Sequence, residues 1–343
     1  MFNEGVLIME EKILLSHGSG GKQTNNLISE MFLKNFDNDT LNELNDAAHL
    51  VLDSGKIVFT TDSFVVNPVF FNGGDIGKLA VCGTVNDIAV SGAKPLYLSC
   101  AFIIEEGFPL DKLEIIVKSM AKEARKAGVK IVTGDTKVVD RGCADGIFIN
   151  TTGIGTKYEN IDIRVNNVKP GDVVIVNGTL GDHGATIMCE RSGLGIQGDL
   201  ESDCASLNSL VDCILEACPE THMLRDATRG GVAAVLNEIA ESSKITIALE
   251  EKTIPVKDEV LSVCELLGLD PLYIANEGKL CAFVPEKYAD EVLSVIKKHP
   301  LGINAAIIGK VVEENRHKVY LNTNIGGTRI VNMPSGEQLP RIC

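Results

Sequence analysis

The sequence has 343 residues, of which 45% are hydrophobic, 23% are charged and 5% are aromatic, and it contains 33 glycines. This composition is typical of a compact α/β enzyme and excludes a fibrous or disordered chain, and the length favours two lobes over a single core. The formal net charge of −15 argues against a nucleic-acid partner or an anionic membrane surface, because both would repel an acidic protein.

The first part of the chain alternates predicted helices and strands, which indicates an α/β or α+β lobe with a well-filled sheet. Apolar residues at helical spacing predict a helix from Thr24 to about Phe36. A second predicted helix is capped near Asp75 and stopped by Gly92. A helix at 111–127 and strands around Val51 and at 56–62, 96–105, 129–135 and 146–155 complete this lobe.

The turn VKPGD at 168–172 breaks this pattern and places a boundary between two lobes at residues 157–170. The second lobe is predicted to be α/β, with strands at 173–178, 245–250, 279–284 and 306–312 and helices after the GDHG motif and at 207–217, 232–241, 258–267 and 287–298. From Asn322 onward apolar residues are too few, at either period, to form an element. The sequence therefore predicts an N-terminal domain at 1–160, a C-terminal α/β domain at 165–321 and a mobile tail at 322–343.

The ten cysteines have irregular spacing, with no C-x-x-C motif and no Cys/His cluster. No secretory signal and no apolar run of membrane-spanning length can be read, so the sequence predicts reduced thiols in a cytoplasmic protein. Cys82, Cys100 and Cys281 lie in apolar runs and are expected in the core. Cys343, at the end of the predicted tail, is the exception: it is a candidate carrier thiol, a docking tag or an intermolecular disulfide hook.

The stretch SHGSGGKQT at 16–24 is similar to a phosphate-binding loop. It is not a Walker A motif, because Ser16 stands where Gly is needed and Lys22 is followed by Gln23. Glycines before a helix still present backbone N–H groups to a polyphosphate. A plain helix-start turn explains the stretch equally well.

Four carboxylates lie in separate loops or at element ends, namely Asp46, Asp62, Asp87 and Asp226. Carboxylates that converge from different loops, without Cys or His clusters, are the ligands of Mg²⁺ bound through substrate phosphates. Taken singly, each is better explained as an N-cap or an Asx turn. Together with the glycine loop they predict a site for ATP and Mg²⁺.

Two further stretches place polar residues beside predicted strands, where open sheets bind ligands. Asp135, Thr136 and Lys137 follow one strand, and Glu277 precedes another. These residues are candidates for acid–base or charge-stabilising roles, with an ordinary turn residue as the alternative for each.

Together these motifs resemble the HypE family of hydrogenase maturation proteins. These are carbamoyl dehydratases of the superfamily that also contains aminoimidazole ribonucleotide synthetase and selenophosphate synthetase. The similarity covers nearly the whole chain and is carried by HGSGGK (17–22), the stretch from TTDSF to PLYLS (60–99), IVTGDTKVV (131–139), GDHG (181–184), RDATRGGV (225–232), NEGK (276–279) and GTRIVNMPSGEQLPRIC (327–343).

The resemblance implies a two-lobe aminoimidazole ribonucleotide synthetase-like fold. The N-terminal lobes would pair into a homodimer through a shared β-barrel, with ATP and Mg²⁺ in a cleft at the lobe and subunit junction. It implies metal-linked carboxylates at Asp46, Asp62, Asp87 and Asp226. It also implies nucleotide contacts from His17, Gly18, Gly20, Gly21, Lys22, Thr61, Asn86, Gly134, Asp135 and Thr136, with 134–137 reaching the nucleotide of the partner subunit.

By the same resemblance, Cys343 accepts a carbamoyl group from the carbamoyltransferase HypF. ATP then drives dehydration of the thiocarbamate to a thiocyanate, and a HypC–HypD complex receives the cyanide for the iron centre of a [NiFe] hydrogenase. An extended tail gains ~3.3 to 3.6 Å per residue, so Cys343 could reach on the order of 50 Å from Gly327. Glu277 is the expected base, and Lys137 is the expected cation that stabilises the oxygen or phosphate.

Two other classes of function fit part of the sequence. A superfamily relative that phosphorylates a free small molecule, such as a selenide or a formylglycinamidine, explains the carboxylate loops but gives Cys343 no role. A nucleotide-binding scaffold that uses its tail as a docking tag explains the tail but not the candidate base. Deletion of Cys343 separates the carrier enzyme from the first of these, because only the carrier requires the thiol.

Overall fold

Two lobes form the described chain, which in this computed structural model comprises residues 12–19, 21–44, 47–52, 55–192, 200–314, 316–334 and 341–343. The buried apolar side chains form two cores: one lies almost entirely in the C-terminal lobe, and the other joins the N-terminal lobe to side chains of the C-terminal lobe such as Ile187 and Val260. Gly20 and Asp46, for which nucleotide and metal contacts are predicted, lie outside the described residues. No helix in the described ranges is both long enough and apolar enough to cross a membrane.

The N-terminal lobe is built on a four-stranded sheet, in the described residues, with the order β1-β6-β4-β5. The strands of this lobe are β1 (Ile57–Phe64), β2 (Phe70–Phe71), β3 (Gly74–Asp75), β4 (Ala93–Glu105), β5 (Lys130–Val139) and β6 (Ile147–Lys157), of which β2 and β3 form a separate pair. The helices are α1 (Lys22–Leu27), a π-helical segment (Ile28–Leu33), α2 (Lys34–Phe36), α3 (Asp39–Asn42), α4 (Ile76–Val90) and α5 (Leu110–Ala127), preceded by a 3₁₀ turn (Leu15–Gly18). Strands β4 and β5 are parallel and are connected by α5, whereas β6 is antiparallel to both of its neighbours.

The C-terminal lobe contains a seven-stranded sheet, counted over the described residues, with the order β13-β12-β9-β11-β7-β10-β8. Its strands are β7 (Asp172–Val176), β8 (Met223–Asp226), β9 (Thr246–Glu250), β10 (Leu280–Pro285), β11 (Ala306–Val312), β12 (Val319–Asn322) and β13 (Thr328–Val331). Its helices are α6 (Asp182–Ser192), α7 (Asn208–Ala217), α8 (Gly231–Ser243), α9 (Asp258–Leu267) and α10 (Ala289–Lys298). Strands β7 and β10 are apolar and buried along nearly their whole length, as expected for strands covered on both faces.

Helix α4 fixes the relative position of the two lobes. Its start is capped by Asp75, whose Oδ1 accepts from the N–H groups of Gly77 at 2.7 Å and Lys78 at 3.1 Å. A Cβ on Gly77 would lie 2.6 Å from the carbonyl oxygen of Ile116, so the absence of a side chain there allows α5 to pack closely. Because α4 contacts β1 in one lobe and β8 and α7 in the other, it carries Asp87 into the junction between them.

The structure differs from the predictions at the strand around Val51, at three four-residue strands and in the tail. The predicted strand around Val51 is wrong, because Val51 lies in irregular chain with 83% of its surface exposed. Strands β8, β12 and β13 are not predicted, since four residues are too few for a period-2 pattern to stand out. The prediction of a tail without regular structure from Asn322 onward is also wrong, because 328–331 pair with β12 and Val331 is buried.

Candidate active site

Three of the predicted metal-linked carboxylates converge on one cleft at the junction of the lobes. Asp62 lies on β1, Asp87 on α4 and Asp226 at the end of β8. Thr60 Oγ1 donates to Asp87 Oδ2 at 2.8 Å, and Thr84 Oγ1 donates to Asp62 Oδ2 at 3.0 Å. Elements from both lobes are therefore needed to assemble this cluster.

Burial and neighbouring charge raise the pKa of two of these carboxylates. Burial, and after it the charge of Asp87, raises the pKa of Asp226 to about 7. Burial and the charge of Asp87 also raise the pKa of Asp62. A cavity of about 470 Å³ lies beside them and is lined in part by Asp87, Arg225 and Asp226. Mutually repelling carboxylates beside a cavity are stabilised by a bound cation.

The donor set fits Mg²⁺ in its chemistry. Carboxylate oxygens are the protein ligands that Mg²⁺ prefers, and threonine hydroxyls orient two of the carboxylates. Over the described ranges, no three Asp, Glu, His or Cys side chains are close enough to hold a metal ion by themselves. A Mg²⁺ ion at these carboxylates would need further ligands from water or from its substrate.

Glu277 lies in the loop before β10, close enough to the carboxylate cluster for the charge of Asp226 to act on it. Only 3% of its surface is exposed, and its Oε1 has no hydrogen-bond partner within the described part of the chain. Burial, followed by the charges of Asp203 and Asp226, raises the pKa of Glu277 well above its ordinary value. A buried carboxyl group with an unused oxygen and a raised pKa has the properties of a general base.

Asp203, which belongs to no sequence motif, holds the backbone on both sides of Glu277. Its Oδ1 accepts from Glu277 N at 3.1 Å, and its Oδ2 accepts from Gly278 N at 3.0 Å and Lys279 Nζ at 2.9 Å. Burial opposes ionisation of Asp203, but the charge of Lys279 and the hydrogen bonds from Lys279 and from the Glu277 N–H outweigh it and lower the pKa. A Cβ on Gly278 would lie 1.9 Å from the Asp203 carbonyl oxygen, which explains the glycine. Asp203 is thus a charged anchor for the Glu277 loop.

The thiol of Cys343 lies in this cleft. Arg229 Nη2 donates to Cys343 Sγ at 3.5 Å, and the Val65 N–H donates to the Cys343 carbonyl at 3.1 Å. Burial and the charge of Glu277 raise the pKa of the thiol to about 11, although Arg229 opposes the shift. The docked thiol is therefore protonated at neutral pH. This position suits a sulfur that already carries an acyl group better than one that must attack as a thiolate.

The residues predicted to contact nucleotide lie partly at a second place, around β5. Gly18, Gly134, Asp135, Thr136 and Lys137 line one cavity of about 340 Å³. Lys137 Nζ donates to Asp135 Oδ1 at 2.8 Å, and this bond is the main reason why the pKa of Asp135 is lowered. In the described residues, no hydrogen bond or ion pair joins Lys137 to Glu277 or Cys343. One chain therefore does not bring Lys137 to the candidate base.

Close packing accounts for two of the predicted nucleotide-loop glycines. A Cβ on Gly18 would lie 2.5 Å from Val138 N, and one on Gly134 would lie 2.4 Å from the Cys100 carbonyl oxygen. The 3₁₀ turn that contains Gly18 thus packs against β5, and β5 packs against β4 at Gly134. His17 is buried, and its Nδ1 accepts from the Leu14 N–H at 3.0 Å.

The remaining nucleotide predictions fall on three different kinds of position. Gly21 and Lys22 stand at the start of α1, as a phosphate site at a helix end requires. Thr61 Oγ1 lies 2.9 Å from Thr152 Oγ1 on the outer face of the sheet. Asn86 is buried between the lobes, where its Nδ2 donates to Ala205 O and its Oδ1 accepts from Leu207 N. Both ends of the amide thus bond to backbone groups. A nucleotide contact of Asn86 stays a prediction.

Two comparisons with known sequences give the same family. The N-terminal domain of AIR synthase related proteins matches residues 44–156, and their C-terminal domain matches residues 169–322. The carbamoyl dehydratase HypE of Rhizobium leguminosarum bv. viciae is 53% identical, over 97% of this chain and 95% of the relative. The carbamoyl dehydratase HypE of Escherichia coli K12 is 51% identical, over 96% of this chain and 99% of the relative.

Solved structures agree with the sequences. A crystal structure of the hydrogenase maturation protein HypE in complex with ATP superimposes with a TM-score of 0.93 at 50% identity, covering 96% of this chain and 99% of that one. A crystal structure of a HypE–HypF complex gives a TM-score of 0.79 at 51% identity, covering 90% of this chain and 99% of that one. The chain therefore belongs to the AIR synthase related family and, within it, to the HypE carbamoyl dehydratases.

Proposed function

We propose that this protein is an ATP-dependent carbamoyl dehydratase whose substrate is its own Cys343, carrying a carbamoyl group as a thiocarbamate. The product is an S-cyano-cysteine, which supplies cyanide ligands for the iron centre of a [NiFe] hydrogenase in the cytoplasm. One observation carries the proposal: Cys343 is half-buried and lies close enough to Glu277 for the charge of that residue to act on the thiol, with Arg229 Nη2 at 3.5 Å from the sulfur. A kinase for a free small molecule would leave the sulfur in that position without a function.

The reaction removes the carbamoyl oxygen and both nitrogen protons. With ATP as co-substrate, the oxygen leaves as part of phosphate, so that thiocarbamate and ATP give thiocyanate, ADP and phosphate. Mg²⁺, where bound by Asp62, Asp87 and Asp226, would offset the charge of the transferred phosphoryl group. The raised pKa of Glu277 makes it a base strong enough to take a proton from the nitrogen as the oxygen departs.

The remaining residues of the cleft position and shield the reacting group. Arg229 points a guanidinium N–H at the sulfur, and Asp203 holds the Glu277 loop. Ile342, immediately before the reacting cysteine, is buried, with 2% of its surface exposed. Exclusion of water protects a phosphorylated intermediate from hydrolysis.

The partners follow from the chemistry and from the relatives. The acceptor thiol requires a carbamoyl donor, and a relative that is 51% identical forms a solved complex with HypF. We propose HypF as the donor and a HypC–HypD complex as the acceptor of the cyanide. Because Cys343 is protonated when docked, transfer from HypF would take place with the tail outside the cleft.

The proposed function is tested by the mass of the peptide that contains Cys343. After incubation with carbamoyl-loaded HypF in the absence of ATP, that peptide should gain one carbamoyl group. Addition of ATP and Mg²⁺ to the isolated carbamoylated chain should then lower its mass by one water. A carbamoylated peptide whose mass stays unchanged with ATP would overturn the proposal.

We further propose that two chains pair through the N-terminal sheet to form the dimeric β-barrel implied by the family. Alternate residues of β1 are exposed, and the apolar side chains of Ile57 and Phe59 lie on this face, where Phe59 is 63% exposed. Phe59 pairs with Ile154 across β1 and β6, and Ile103 pairs with Phe148 across β4 and β6, so an apolar surface crosses the sheet. Pairing would also allow Lys137 of one chain to serve the cleft of the other.

Charge at the centre of this surface is expected to separate the subunits. The Phe59→Asp variant should sediment as a monomer at a concentration where the unaltered chain is a dimer, because each interface would bury two unpaired carboxylates. Ile115→Asp, at an exposed apolar position on α5, is the matched control and should not change the sedimentation coefficient. An unchanged dimer in the Phe59 variant would rule out this face as the interface.

A further inference from the structure

The last three residues of the sequence, 341–343, occupy a groove that recognises them through contacts separate from the chemistry. Two backbone bonds extend beyond the end of β1: Val65 N donates to Cys343 O at 3.1 Å, and Asn67 N donates to Arg341 O at 3.3 Å. This spacing of two residues is the pattern of a peptide strand added to a sheet edge. The groove thus binds the main chain of the segment through these two hydrogen bonds.

The side chain of Arg341 is recognised by charge and by an aromatic face. Its guanidinium forms an ion pair with Asp145 and lies 5.9 Å from the centre of the Phe148 ring. Its Nε also donates to Val65 O at 3.0 Å. Arg191 in turn donates to the Arg341 carbonyl. These contacts select a planar cation at this position.

Ile342 is recognised by burial and by its carbonyl. The side chain is 2% exposed and belongs to the core of the N-terminal lobe. The Ile342 carbonyl lies 2.7 Å from Nε2 of His183, a residue that is itself fully buried.

The hydrogen bonds around His183 fix which ring nitrogen carries the proton. Ser202 Oγ accepts from Cys204 N at 3.1 Å and lies 2.7 Å from His183 Nδ1. The Ile342 carbonyl can only accept, so Nε2 carries the hydrogen and donates to it. In the neutral ring Nδ1 then accepts from the Ser202 hydroxyl. This explains the GDHG motif, which the carboxylate cluster does not use.

None of these contacts involves the sulfur, and none requires that the segment be attached to residue 334. We propose that Val65, Asn67, Asp145, Phe148, His183 and Arg191 form a receptor specific for an Arg-Ile-Cys segment, which accepts separate peptides with this ending whose cysteine carries a carbamoyl group. The binding part of this inference stands on the contacts above, and the conversion of the peptide rests on the proposed function. The step in the bound peptide is the same: S–C(=O)NH₂ and ATP give S–C≡N, ADP and phosphate.

Concentration is the main difference between an attached and a separate segment. A tethered segment is present at an effective concentration of about millimolar, so a separate peptide needs millimolar amounts to occupy the groove equally. The chain's own segment 341–343 must also be kept out of the groove, so that a separate peptide can enter. Ile342→Asp with Cys343→Ala in the full-length chain achieves this, because a carboxylate cannot enter the apolar site and the segment no longer carries a thiol.

The test supplies this double variant with ATP, Mg²⁺ and a synthetic peptide of residues 336–343 that carries an S-carbamoyl cysteine. The cyanated peptide, one water lighter, should form at millimolar peptide. The same peptide with Ile342→Ala should be converted at least about tenfold more slowly at subsaturating concentration, because a buried side chain is truncated. ATP binding and thermal unfolding of the variant, compared with the unaltered chain, verify that the rest of the molecule is intact.

A charge exchange tests the recognition of Arg341. A peptide with Arg341→Glu should be a poor substrate, and adding Asp145→Lys to the protein variant should raise its conversion while lowering that of the native peptide. Asp145 is 62% exposed, so its replacement should not disturb folding. Because this ion pair is exposed to solvent, the charge exchange should change the rate of peptide conversion by only about threefold to fivefold.

The unaltered chain, carbamoylated on its own Cys343, distinguishes the two proposals. If it loses water with ATP but no separate peptide reacts at millimolar concentration, the receptor inference is wrong and the proposed function stands. Equal conversion of all peptides would also overturn the inference, because the groove would then not distinguish one peptide sequence from another. If neither the chain nor the peptide reacts, the proposed function is wrong, and so is the proposed conversion of the peptide. A comparison of binding affinities then still decides whether the groove is a receptor, because a receptor should bind the native peptide more tightly than the Ile342→Ala peptide.

Discussion

The Cys343→Ala variant is expected to bind ATP normally and to lose both carbamoylation and ATP-dependent loss of water completely. The sulfur of Cys343 carries the carbamoyl group, so the variant has no substrate. No neighbouring group replaces this sulfur. Intact mass spectrometry after incubation with carbamoyl-loaded HypF, and again after addition of ATP and Mg²⁺, measures the two steps separately. ATP binding, measured by calorimetry, shows that the cleft remains intact.

Cys143→Ala is the matched control for this experiment. Cys143 is also a free thiol, and it is exposed in the loop between β5 and β6. This variant should gain the carbamoyl group and lose the water as the unaltered chain does. Retention of ATP-dependent turnover in the Cys343 variant would instead favour a free small-molecule substrate.

The Glu277→Gln variant is expected to accept the carbamoyl group on Cys343 but to dehydrate it about 10²- to 10⁴-fold more slowly. Glutamine preserves the volume and the backbone bonds to Asp203, which involve N–H groups and not the side chain. Only the basicity of the side chain is lost. Single-turnover conversion of the pre-carbamoylated chain measures the effect without interference from HypF.

The pH dependence provides a second measurement on Glu277. Because its folded-state pKa is raised, the fraction in the basic form increases as pH rises through that value, and the rate should increase with it. This dependence should disappear in the Gln variant. Glu220→Gln, at an exposed acid that pairs with Lys287, is the control and should keep both the rate and the pH profile. A Glu277 variant with normal single-turnover rates would exclude this residue as the base.

Much of the fold follows from local patterns in the sequence. Helix α4 is predictable because Asp75 supplies the cap and Gly92 the stop, and both act within one helical turn of the residues they affect. Strands β7 and β10 are predictable because continuous apolar runs of this length are typical of strands buried on both faces. The four-residue strands β8, β12 and β13 are not, since their pairing partners decide their conformation.

The chemistry of the candidate site was also readable, but only as residue types. Carboxylates in separate loops, Glu277 between small residues and the thiol of Cys343 indicate which groups are present. Whether they meet depends on α4, which joins β1 to the second lobe and brings Asp62, Asp87 and Asp226 to one cleft. Lys137, predicted with equal reason, lies on β5 at the other cavity.

The sequence by itself determined the longer helices, most of the longer strands, the two-lobe organisation and the family, because these depend on neighbours along the chain and on motifs. Only the tertiary structure decided that Asp203 anchors the Glu277 loop and that Arg229 meets the sulfur. It also decided that His183 and Asp145 hold the segment 341–343. These contacts join residues 74 to 196 positions apart, and a hydrogen bond over such a separation leaves no periodic signal in the chain.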